Sequence, residues 1–149
     1  MISRGIIAGL VATFALSLIM MIKSSMGVMP AFDIISDWKN ATAVFGISIS
    51  SAIAWVLHFA LGGLWGALYA IVHQRLPGGF VVSGIVVGVA AWLGMMIGFM
   101  PLAGNGLFAL GISPMVTMAT LVLHVFFGAV LGFTYSKLTE RESLVTVTQ

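Results

Sequence analysis

The chain has no cysteine. Disulfides, thiolate zinc sites and thiol nucleophiles are therefore excluded together. Charge is nearly as scarce, with six Lys and Arg and four Asp and Glu among 149 residues, against an apolar content of 60%. A soluble domain of this size needs more polar surface than that to cover its core, so the composition points to a bilayer. The formal net charge of +2 rests on too few basic groups to argue for nucleic-acid binding. No Asp, Glu, Lys or Arg stands in the centre of any long apolar run. The acidic relay of a proton-coupled pump and the cationic ladder of a voltage sensor are both missing.

What is present is length and repetition. Four apolar stretches, near residues 5–25, 46–72, 80–100 and 114–136, each reach the roughly 20 residues that a helix needs to cross a hydrocarbon core. With no alternating β pattern, helices are the way to pair the backbone in lipid. The first stretch follows Arg4 and has the look of a signal peptide, but no small-x-small site follows it, and the matching third stretch cannot be one; it is expected to be retained.

The halves correspond residue by residue. Asn40, then five residues, then Gly46-Ile47-Ser48 recurs as Asn105 and Gly111-Ile112-Ser113. His58, Gly62, Gly66 and Tyr69 share their offsets with His124, Gly128, Gly132 and Tyr135. Gly27-Val28-Met29-Pro30 answers Gly98-Phe99-Met100-Pro101, and Gly5-x-x-x-Gly9 answers Gly84-x-x-x-Gly88. The expected fold is an all-α membrane protein with four transmembrane helices, one domain over 1–149. It is built from two parallel helix-loop-helix repeats, 1–75 and 79–138, with a frayed polar tail at 139–149. Two spans per repeat relate the copies by a pseudo-two-fold axis along the membrane normal.

The first repeat carries an insertion between Pro30 and Asn40, in which Phe32, Ile35 and Trp38 recur opposite Asp33 and Asp37. This predicts a short interfacial helix with its aromatic side against headgroups or a partner and both aspartates toward water. Ser48, Ser50 and Ser51 stand where a helix start is capped. His73 with Arg75 reads as an interfacial anchor. Arg4, Arg75, Lys137 and Arg141 fall on one side, and Lys23 and Lys39 on the other, which by positive-inside bias gives cytoplasmic termini in a multi-pass inner-membrane protein.

The stripe of His, Gly, Gly and Tyr carries the functional question. Tyr69 and Tyr135 fit an aromatic belt, which sets His58 and His124 about 16 Å deeper, near the midplane. One reading is packing: Gly62, Gly66, Gly128 and Gly132 let the second and fourth spans meet, and the imidazoles bond to one another, to a carbonyl or to a neighbouring subunit. Another makes His58 and His124 axial ligands of a b-type haem, which needs those helices farther apart. Copper, quinone or substrate contacts remain as further readings. Ten methionines suit Cu(I), and Met29 and Met100 beside matching prolines are candidate ligands, although methionine also fills apolar interiors.

The Gly-x-x-x-Gly opening, Trp55-x-x-His58, the Arg75-Leu76-Pro77-Gly78-Gly79 turn, Met100-Pro101-Leu102-Ala103-Gly104 and Leu121-Val122-Leu123-His124 together resemble an uncharacterised family of small four-helix prokaryotic membrane proteins. The resemblance implies the fold and membrane residence and brings no activity. From the residues, the expected function is that of a non-catalytic integral subunit or accessory protein of a larger membrane complex, a redox or metal-dependent enzyme, with no enzyme activity of its own. Its partners are the bilayer and other membrane subunits or further copies of itself. A haem b or copper protein for electron transfer or metal handling through His58 and His124 is the alternative, and an oligomeric small-solute channel a third.

Overall fold

The computed structural model describes residues 1–25 and 32–147. Among them the regular structure is helical. In order come α1 (Ile2–Ser25), α2 (Ile34–Ala43), α3 (Ser51–Val72), α4 (Phe80–Gly94), α5 (Met100–Leu102) and α6 (Pro114–Val147). Single 3₁₀ turns cover His73–Arg75 and Leu107–Ala109, and a π turn, Met95–Phe99, joins α4 to α5. Four segments are long and apolar enough to cross a membrane: Ile2–Ile22, Ser51–Arg75, Phe80–Leu102 and Pro114–Glu140. Large apolar side chains such as Phe14, Val56, Leu64, Val122 and Phe133 point outward from this bundle, which water would penalise and lipid accepts.

The glycines decide which helices meet. Gly5 and Gly9 of α1 lie against Gly66 and Gly62 of α3, so closely that a Cβ on Gly5 or Gly9 would overlap the opposing carbonyl. Gly84 and Gly88 of α4 lie in the same way against α6. The expectation that Gly62, Gly66, Gly128 and Gly132 bring α3 and α6 together is therefore corrected. Each glycine stripe is matched by one on the preceding span, and two such faces approach more closely than a glycine face and a bulky one. The pairs differ in register. Gly66 faces Gly5, whereas Gly128 faces Gly84 and Gly132 faces Phe80, a slip of four residues or about 6 Å.

Between the two pairs, α1 uses a second face. Ala8, Ala12 and Leu16, spaced by four, join Leu123, Phe127 and Leu131 of α6 in one core cluster. α3 and α4, by contrast, adjoin mainly at the ends nearest their connecting turn, where the Tyr69 hydroxyl donates to the Phe80 carbonyl at 2.7 Å. Tyr69 and Tyr135 are not a lipid-facing belt. Both are buried and meet edge to face at 5.2 Å, with His73 against both rings, because the stripe that carries them turns into the bundle.

Two further expectations are adjusted. The insertion does form a helix, α2, capped by Asp33, whose carboxylate accepts from Ile35 N–H at 3.0 Å. Asp37, however, faces inward and is only 6% exposed. It shares a face with Ile34 and Ala41, three and four residues away, and the helix buries that face. The tail does not fray at 139, since α6 continues to Val147. No Gly or Pro interrupts it there, and Lys137 pairs with Glu140 at 2.8 Å. The whole Gly27-Val28-Met29-Pro30 motif lies outside the described residues.

Candidate functional site

In the half of the bundle away from the termini a partly open cavity of about 550 Å³ lies between the helices. Its position follows from the glycines and from one proline. Close glycine contacts tighten the other half, while Ala91 and Gly94 of α4 and Gly98 of the π turn leave that wall without bulk. Pro101 has no N–H and would collide with the carbonyl four residues back, and the chain widens into the π turn just before it, with Met100 N–H reaching Met95 O. That turn sets Met95, Gly98 and Phe99 on the cavity wall and sends Met96 and Met100 into a second core cluster.

The side toward the loops is roofed by α2. Ile34, Trp38, Ala41 and Thr42 face the cavity, and Trp38 lies against Phe99 with ring centroids 4.8 Å apart. Two bonds hold the roof. Lys39 Nζ donates to Ser51 Oγ at 2.8 Å, and Asn105 Nδ2 donates to Asp37 Oδ1 at 2.8 Å. Asp37 Oδ2 is buried with no hydrogen-bond partner among the described residues. Burial pushes the Asp37 carboxyl above the ordinary carboxylate range, the Asn105 bond pulls it back, and Asp33 raises it again.

His58 and His124 both line this cavity, one from α3 and one from α6. His124 Nδ1 lies 2.8 Å from the Thr120 carbonyl, which assigns the ring proton to Nδ1 and leaves Nε2 an acceptor. His58 Nε2 lies 3.3 Å from Ser17 Oγ of α1. Thr13, Thr42 and Thr120 add hydroxyls, and the rest of the wall is apolar or aromatic, with Leu16, Leu61, Trp65, Leu123 and Phe127 prominent. Among the described residues no charged side chain lines it.

The other expected site residues fall elsewhere. Gly62 lines the cavity and also packs on Thr13, whereas Gly66, Gly128 and Gly132 serve the interhelical contacts. Met100 is fully buried and its sulfur accepts from Asn105 Nδ2 at 3.5 Å, while Met29, the other expected copper ligand, lies outside the described residues. Among the described residues no three His, Asp or Glu side chains gather as metal ligands would. Sequence reasoning missed the Asp37–Asn105 pair and the partners of the histidines. The signal for Asp37 was its spacing from Ile34 and Ala41; for Ser17 and Thr120 no pattern in the sequence pointed to the imidazoles.

Over residues 1–146 the chain matches the model of a family described only as a family of unknown function (DUF6789). No curated protein and no solved structure is significantly similar to it.

Proposed function

Since the chain belongs to DUF6789, a family of unknown function, its role has to be read from its own geometry, and we propose that it is a non-catalytic integral membrane protein that holds an apolar molecule between its helices. The observation that carries this is the cavity of about 550 Å³, a size that suits a drug-sized ligand, with apolar walls and two imidazoles. Among the described residues around it there is no paired acid and base and no activated nucleophile, so holding a ligand suits it better than converting one. Such a protein serves as an accessory subunit of a larger membrane complex, with a redox or metal-dependent enzyme as a fitting partner. Its two helix pairs are read as a duplicated unit related about the membrane normal, with the one-turn slip as the later divergence. The termini are placed on the cytoplasmic side of the inner membrane.

The test uses Gly98, which lines the cavity and has nothing within 4 Å of where a Cβ would stand. Gly98→Leu fills space without meeting backbone. Native mass spectrometry of the wild type in mild detergent is expected to reveal a bound apolar molecule that the variant lacks while keeping its melting temperature. An empty wild-type protein, or equal loading of both, defeats the reading.

A second reading, haem b between His58 and His124, is favoured by one observation. The Thr120 carbonyl orients His124 as carbonyls orient metal-bound histidines, leaving Nε2 open. Against it, Ser17 occupies Nε2 of His58. A Soret band in the purified protein that disappears in His124→Gln would select it.

A further inference from the structure

The cavity wall limits the chemistry of what it can hold, and the inference drawn from this rests on the ligand-binding reading above. Three hydroxyl protons in the wall are already committed: Thr13 donates to Gly9 O at 2.8 Å, Thr42 to Trp38 O at 3.1 Å and Thr120 to Val116 O at 2.8 Å. The imidazoles are different. With its proton on Nδ1 and held by Thr120, His124 keeps a lone pair at Nε2 that no described residue meets. Ser17 makes no other hydrogen bond among the described residues, so its hydroxyl proton is assigned to Nε2 of His58, and the His58 proton then sits on Nδ1 as a donor. The site therefore offers one strong acceptor and one donor on two helices.

Two further features narrow the class. With no charged side chain among the described residues of the wall, an ionised head group would be desolvated there without compensation, so a neutral ligand is favoured. Trp38, Trp65, Phe99 and Phe127 present aromatic surface, which favours a flat ring over an aliphatic head. We propose that the cavity binds a neutral hydroxy-aromatic lipid with a quinol-type head, one hydroxyl donating to His124 Nε2 and a second oxygen accepting from His58 Nδ1–H. The aliphatic part occupies the remaining apolar volume. A fully oxidised quinone has no proton for His124, and so binds more weakly than its quinol.

Binding is measured by tryptophan quenching and by calorimetry on the full chain in detergent. The three probes are a short-chain alkyl benzoquinol kept reduced, its dimethyl ether and an alkylbenzene of similar size. The quinol is expected to bind about tenfold or more tightly than the ether, as one lost hydrogen bond implies, and His124→Phe is expected to bring the two to parity. Equal affinity of wild type for all three probes would overturn the quinol assignment and leave the apolar-ligand function standing. Binding of none of them would overturn both. The comparison among probes on wild-type protein stands whether or not His124→Phe folds. Should that variant fold and still prefer the quinol tenfold, His124 is not the acceptor and the proposal falls.

Discussion

Asp37 is the residue whose placement the sequence hides best. Polar residues near the ends of membrane segments are ordinarily wet, and an aspartate next to Lys39 in an inserted loop reads as a solvated group. Its spacing within α2 decides otherwise. Because the fold buries it, the folded chain holds the Asp37 proton more tightly than the unfolded chain does. The sign follows: this contribution to stability is greatest below the unfolded value of 3.8 and is lost as pH rises through the folded value. Asp37→Asn keeps an acceptor for Asn105 and removes the ionisation. Its melting temperature in detergent should therefore fall less than that of the wild type between about pH 4 and pH 7. Parallel curves would show that another group controls the slope. The histidines present the opposite case, since their types and matched positions were plain in the sequence but their partners, Ser17 and Thr120, were not. Ser17 stands on another helix, and only the packing of α1 on α3 brings its hydroxyl to His58, while Thr120 offers His124 a backbone carbonyl that any residue would carry.

At the scale of elements, length and apolar content were enough to find every spanning helix, and Ser50 does cap α3 by accepting from Ile53 N–H. The breaks inside elements were not legible. The π turn requires weighing Pro101 against the helix it would otherwise continue. The positive backbone angles at Phe108 and Ala109, near 55°, have no sequence signal at all, since non-glycine residues enter that region only when their surroundings hold them there. Pairing was half legible: glycine stripes announce close helix contacts without naming the partner. The contacts now give a graded expectation. Gly66→Leu and Gly132→Leu place bulk against the Gly5 and Phe80 backbones and should each cost more than the 1–3 kcal/mol typical of overpacking, seen as loss of the monodisperse protein on size exclusion. Gly79→Ala, with nothing within 4 Å, should shift the melting temperature little. Equal tolerance at all three positions would mean that the helices do not meet as described.

For the molecule as a whole, the weak adjacency of α3 and α4 breaks the symmetry that the matched residues suggest, because a strict two-fold would make that contact the equal of α1 with α6. The one-turn slip between the glycine pairs belongs to the same departure: equal motifs do not fix equal register when Thr13 stands at one interface and Trp92 at the corresponding place of the other. Orientation is an expectation at this scale, resting on where the few cations fall. A membrane-impermeant amine reagent applied to intact cells should modify Lys39 and spare Lys137, and the reverse pattern would turn the molecule over.

The position of α1 between two partners bears on how the chain is made. Synthesis delivers α1 and α3 first, and their glycine faces can close before Phe80 leaves the ribosome. The Ala8, Ala12 and Leu16 face has to wait for α6, the last segment to arrive. Until then that face has no partner, and the cavity lacks the wall that α6 supplies. Fragments 1–77 and 78–149 expressed from separate messages should then find each other and co-purify, since each carries a complete helix pair. A chain stopped at residue 113 should reach the membrane and be degraded there, with pulse-chase labelling showing a half-life well below that of the full protein.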